Sequence, residues 1–100
     1  MYFVRCGQIN ELEMVAPDDW HLHLRDGERL QSLMKIPFQC QRAIIMPNLK
    51  QPVTTTELAL EYRQRIVDGL PEDSTFEPLM TLYLTDKTTP EEIIKAKESG

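Results

Sequence analysis

The chain has 100 residues, material for at most one domain, since domains commonly span about 50 to 250 residues. Its 41% hydrophobic and 27% charged residues, with only four Gly and seven Pro, exclude a disordered or fibrous chain. Sixteen acidic residues against eleven basic ones give a net charge of −5, which argues against nucleic-acid phosphates or an anionic membrane surface as the partner.

Cys6 and Cys40 are too few and too far apart for a disulfide framework or a zinc knuckle, so both read as reduced thiols of a cytoplasmic protein. Cys40 has no neighbour that would lower a thiol pKa, so it is not expected to be a nucleophile. The opening Met1-Tyr2-Phe3-Val4-Arg5 lacks the basic and then apolar pattern of a secretory signal. No window approaches the roughly 18 apolar residues of a membrane span. Pro and Gly are scattered instead of gathered into a linker, and no repeat appears, so residues 1–100 carry no internal boundary.

Leu12-Glu13-Met14-Val15-Ala16 predicts a first strand, and Pro17-Asp18-Asp19 a polar bend with its carboxylates solvated or capping. Trp20 reads as a packing residue. Asp26-Gly27 opens a helix in which Leu30, Leu33 and Met34 recur, ended by Ile36-Pro37. Arg42-Ala43-Ile44-Ile45-Met46-Pro47 is the run of a strand buried on both faces of a parallel sheet. Thr54-Thr55-Thr56-Glu57 supplies a capping box between Thr54 and Glu57 for a second helix. Its stripe is Leu58, Tyr62 and Ile66 with Ala59 and Val67, and Gly69 closes it.

Leu79-Met80-Thr81-Leu82-Tyr83-Leu84 predicts a third strand, and Thr89-Pro90-Glu91-Glu92 a capped third helix carrying Ile93, Ile94 and Ala96. Met34, Met46 and Met80 are expected in the core. Strand, helix, strand, helix, strand, helix is the order of an α/β domain with parallel strands, either a barrel or an open sheet. No Gly-rich fingerprint follows a strand, which disfavours dinucleotide binding.

In such folds chemistry collects at the carboxyl ends of strands. In His21-Leu22-His23-Leu24-Arg25, extended backbone puts His21, His23 and Arg25 on one face. Two imidazoles about 6.7 Å apart along the backbone can converge on one metal, although His-x-His also occurs by chance on exposed strands. Zinc takes imidazole nitrogen at about 2.0 to 2.1 Å, and with an open position lowers the pKa of its water to about 7. Arg25 adds a planar fork suited to a carboxylate or phosphate. At the end of the second strand, Asn48 offers an amide to a ligand, or else bonds its own turn.

These residues resemble a known family. Pro17-Asp18-Asp19-Trp20-His21-Leu22-His23-Leu24-Arg25-Asp26-Gly27 is similar to the signature of bacterial, single-function dihydroorotases of the amidohydrolase superfamily. The likeness continues through Arg42 to Leu49, Pro52 to Thr55, Tyr62 to Ile66 and Pro78 to Asp86, and covers roughly residues 12 to 100. It implies the N-terminal part, about three βα units, of a (β/α)₈ TIM barrel. It further implies a two-zinc site interconverting carbamoyl aspartate and dihydroorotate, and a homodimer for the complete protein. By the same resemblance His21 and His23 are ligands of the more buried zinc, and Arg25 and Asn48 hold the substrate carboxylate.

Such a barrel takes about 250 residues, and the family's bridging lysine, other histidines and proton-carrying aspartate have no counterpart here. Lys95 and Lys97 belong to the third helix and do not take the lysine's role. The 100-residue chain alone is therefore expected to be inactive. A hydantoinase-like cyclic amidohydrolase shares the His-x-His motif, although Arg25 and Asn48 favour a substrate bearing a carboxylate. A non-catalytic barrel-fragment module is the third reading.

Overall fold

A computed structural model describes residues 2–6 and 9–100 of the chain, with side chains from residue 11 onward. Met1 and the thiol of Cys6 lie outside the described part. Two sheets form. Strands β1 (Tyr2–Cys6) and β2 (Ile9–Met14) make an antiparallel hairpin, with Tyr2 opposite Met14 and Val4 opposite Leu12. Strands β3 (Asp18–Leu22), β4 (Arg42–Ile45) and β5 (Glu77–Leu79) make a parallel sheet in that order. Helices α1 (Gly27–Leu33) and α2 (Thr56–Gly69) connect them, and α3 (Pro90–Glu98) follows. The alternation and the parallel pairing are those expected of successive βα units.

Two boundaries differ from the sequence expectation at the start. The first predicted strand is the second arm of the hairpin, and Asp18 and Asp19 open β3 instead of forming a bend. Both carboxylates are hydrogen-bonded, Asp18 across the ladder and Asp19 locally. Asp18 stands in register with Arg42 of β4, and that guanidinium meets it through Nε at 3.1 Å and Nη2 at 2.5 Å. The Arg42 hydrogen bonds hold the Asp18 carboxyl below the usual carboxylate range. Asp19 accepts the backbone N–H of His21 at 3.0 Å. Trp20 is not the packing residue expected: it is 74% exposed.

The third predicted strand is also shorter. The ladder stops at Leu79; beyond it the chain holds the end of β4 through a side chain and turns a backbone N–H to the loop that follows β4. The Thr81 hydroxyl donates to the Ile45 carbonyl at 2.6 Å, and the Tyr83 N–H donates to the Val53 carbonyl at 2.7 Å. On β4, Pro47 has no N–H with which to extend the pairing. Ala43 and Ile45 are buried and Ile44 only half-buried, so β4 is not covered equally on its two faces.

The core joins Leu24, Leu30, Met34, Ala43, Ile45, Val53, Ala59, Tyr62, Ile66 and Phe76. Along α2 the buried positions are Thr56, Ala59, Tyr62 and Ile66, the helical repeat of an apolar stripe. Val67 lies outside it and Leu58 only half inside. Met46 and Met80 are half-buried. Cys40 carries a free, half-buried thiol, and burial pushes its pKa up. No described helix is long and apolar enough to cross a membrane.

The helix ends revise the expected caps. Thr55, one residue later than read, caps α2 by accepting the Leu58 N–H, and Glu57 instead meets Lys95. Thr89 caps α3 as expected, accepting the Glu92 N–H at 3.3 Å. The Glu92 carboxylate, however, turns away from its own helix. It accepts the backbone N–H of Thr56 at 2.7 Å and the Thr56 hydroxyl at 2.6 Å, which ties the start of α3 to the start of α2. Gly69 is the last residue of α2, and Leu70 is the cap. Glycine is required there by contact: a Cβ would lie 2.6 Å from Cγ and 3.1 Å from Cβ of the buried Met34.

Two outcomes follow for stability. Gly69→Ala would force the root of the Met34 side chain to move, and we expect a loss of about 1 to 3 kcal/mol in denaturant unfolding despite alanine's better helix propensity. Glu92 is held below its usual range first by the Thr56 hydroxyl and then by the Thr56 N–H. Its stabilisation is present above the unfolded carboxylate pKa and lost as pH falls through the lowered folded value. Glu92→Gln should lower the melting temperature near neutral pH and reduce the further loss on acidification.

Candidate active site

Because β3 and β4 run parallel, their carboxyl ends emerge at the same edge of the sheet. The register places Leu22 beside Ile45, and the Met46 N–H donates to the Leu22 carbonyl at 2.9 Å. The loop after β4 is then folded on itself: the N–H groups of Leu49 and Val53 both donate to the Pro47 carbonyl at 3.0 Å. The result is an open recess at the strand ends lined by His21, His23, Met46, Pro47, Asn48 and the segment Leu82-Tyr83-Leu84.

His21 is the penultimate residue of β3 and His23 follows its end. Their rings lie with centroids 4.9 Å apart, and the two Nε2 atoms are 3.0 Å from each other. Two imidazole nitrogens on one tetrahedral ion at about 2.0 to 2.1 Å stand roughly 3.3 Å apart. The pair therefore fits a shared metal with a shift of a few tenths of an ångström. Imidazole is also the right donor for zinc. Among the described residues no third His, Cys, Asp or Glu joins them, so they supply two donors of a site that needs more.

Asn48 is exposed in the same recess. Arg25 does not line it. Strict alternation would have put Arg25 beside His23, but its φ is +59°, and the left-handed region takes it out of the extended backbone. That conformation costs a non-glycine residue roughly 1 to 2 kcal/mol. Hydrogen bonds at Tyr62 and Asp26 offset that cost. The Tyr62 hydroxyl donates to the Arg25 carbonyl at 2.5 Å. Asp26 caps α1 by accepting the Gly27 N–H at 2.9 Å, and it receives both Nε (3.0 Å) and Nη2 (2.9 Å) of Arg65. Burial pushes the Tyr62 phenol up to about 12, so it remains a donor across the ordinary pH range.

The structure brings His21, His23 and Asn48 into one recess, together with residues that the sequence pattern does not single out. Leu82 to Leu84 were read as strand interior but line the recess. Tyr62 was read only as a member of an apolar stripe. Its signal was a phenolic O–H among aliphatic neighbours, because a buried tyrosine hydroxyl needs an acceptor.

No family model matches the chain. Curated relatives do: it is 61% identical to the dihydroorotase of Delftia acidovorans over 92 residues, which are 91% of this chain and 27% of that relative. It is 58% identical to the mitochondrial dihydroorotase of Arabidopsis thaliana over 93 residues, 90% of this chain and 24% of that one. Among solved structures it resembles the dihydroorotase of Campylobacter jejuni, with a TM-score of 0.73 and 34% identity over 83% of this chain and 25% of the other. It also resembles the Saccharomyces cerevisiae dihydroorotase in complex with 5-fluoroorotic acid, with a TM-score of 0.69 and 28% identity over 82% and 22% of the two chains. The chain thus spans about a quarter of the length of the relatives it matches.

The Thr81 hydroxyl, which bonds Ile45 at the end of β4, supports the floor of this site. Thr81→Val keeps the shape but removes the donor, and equilibrium unfolding should report a loss of about 1 kcal/mol.

Proposed function

We propose that this chain, homologous to dihydroorotases over about nine-tenths of its length, is the N-terminal portion of a dihydroorotase. Residues 1–100 are then part of one barrel domain, and the complete protein is a cytoplasmic homodimer that reversibly cyclises N-carbamoyl-L-aspartate to dihydroorotate. The observation that carries this reading is the pair of imidazole nitrogens 3.0 Å apart, at the carboxyl edge of a parallel sheet and beside Asn48.

His21 and His23 would hold one of two zinc ions. Bound zinc supplies Lewis acidity toward an amide carbonyl and acidifies a coordinated water. The chain's own residues have the complementary task of binding and orienting the substrate. Arg25 lies outside the lining of the recess but leaves the chain two residues after His23, and its long side chain would bring N–H donors in a plane that matches a carboxylate with two parallel hydrogen bonds. The Asn48 amide adds an N–H donor from the β4 side. A carboxylate held between these groups would anchor a small cyclic amide so that the rest of its ring faces the two histidines.

The test uses the full-length protein. Wild type should interconvert dihydroorotate and carbamoyl aspartate, and His21→Ala or His23→Ala should lower kcat/KM by at least about 10³-fold. Elemental analysis of the same variants should show reduced zinc content. A wild-type protein that prefers hydantoins to dihydroorotate would overturn the reading in favour of another cyclic amidohydrolase.

A further inference from the structure

Arg25 is the one candidate substrate group whose backbone is left-handed, with φ +59°, and the groups that surround this turn come from α2, 37 to 40 residues later in the chain. Tyr62 is fully buried, and its hydroxyl is aimed at the Arg25 carbonyl at 2.5 Å. One helical turn on, Arg65 grips both carboxylate oxygens of Asp26 at 3.0 and 2.9 Å. Its guanidinium carbon also stands 5.4 Å from the centre of the Tyr62 ring, so phenol and guanidinium brace each other. Asp26 in turn caps α1 through the Gly27 N–H, and Gly27 is itself left-handed at φ +60°. The turn Arg25-Asp26-Gly27 is therefore gripped at a carbonyl and at a carboxylate by two residues on one face of one helix.

An arginine that must meet a carboxylate with two parallel hydrogen bonds tolerates little error in the direction of its side chain. That direction is set by the backbone from which it leaves, and without a holding contact this backbone would relax toward the right-handed or extended regions. We propose that Tyr62 and Arg65 are positioning residues for substrate: they fix the left-handed turn that aims Arg25 at the substrate carboxylate, touching neither substrate nor metal. The inference rests on the dihydroorotase reading and names residues that carry part of its specificity for an acidic ring.

The test is a mutant cycle in the full-length enzyme. Tyr62→Phe removes one hydroxyl and keeps the buried ring. It should raise KM for dihydroorotate, and Kd for the carboxylate-bearing 5-fluoroorotate, about five- to tenfold with kcat within about twofold. Arg65→Gln, a surface change, should raise both about threefold and keeps the question answerable should Tyr62→Phe fail to fold. In an Arg25→Gln background either change should alter the 5-fluoroorotate Kd by less than about twofold, because its effect passes through Arg25. Equal effects in the two backgrounds, or an unchanged KM in Tyr62→Phe and Arg65→Gln, would overturn the positioning role alone. Absence of dihydroorotate turnover by wild type would overturn the reading on which it rests.

Discussion

One backbone hydrogen bond, from the Met46 N–H to the Leu22 carbonyl, joins the two strand ends that carry the candidate donors. Leu22 sits between His21 and His23, and Met46 precedes Pro47 and Asn48. Parallel pairing is what allows a single bond to have this effect, since it brings the carboxyl ends of β3 and β4 to one edge. An antiparallel pair would have sent the two motifs to opposite ends of the sheet. The recess of His21, His23 and Asn48 follows from strand direction before any side-chain preference is considered.

Around that bond the structure works as a chain of substitutions for missing ladder contacts. Pro47 ends the pairing of β4, and its carbonyl is taken up by Leu49 and Val53 of its own loop. Val53 is buried, and its carbonyl receives Tyr83, which draws the segment after β5 over the site. Thr81 caps the same strand end through Ile45. Helix α2 supports the other side, gripping the turn after β3 through Tyr62 and Arg65 and receiving Glu92 of α3 at its first residue.

How much of this was legible follows from the range of each cause. The His-x-His pair, the buried run before Pro47 and the three helices are local patterns, and they appear where periodicity placed them, with the cap of α2 one residue later than its sequence suggests. What went astray depended on partners distant in sequence. Nothing near Asp18 announces that Arg42, 24 residues on, will neutralise it and let it open a strand. The Thr89 and Glu92 pair had the form of a reciprocal capping box, yet a competing acceptor role at Thr56 recruited the Glu92 carboxylate. Gly69 had the form of a helix terminator, and its physical reason is instead the approach of Met34. Tyr62 belongs to both classes, since its burial was periodic and readable whereas its hydrogen bond was not.

The two histidines mark the limit of what one strand end contributes. Side chains on one face of an extended strand recur every second residue, so a single strand offers two ligands within reach of one ion, and a third must approach from elsewhere in the sheet. Among the described residues β4 brings an amide and β5 brings apolar neighbours, neither of which ligates zinc well. Under the proposed function His21 and His23 would be two donors of a larger set.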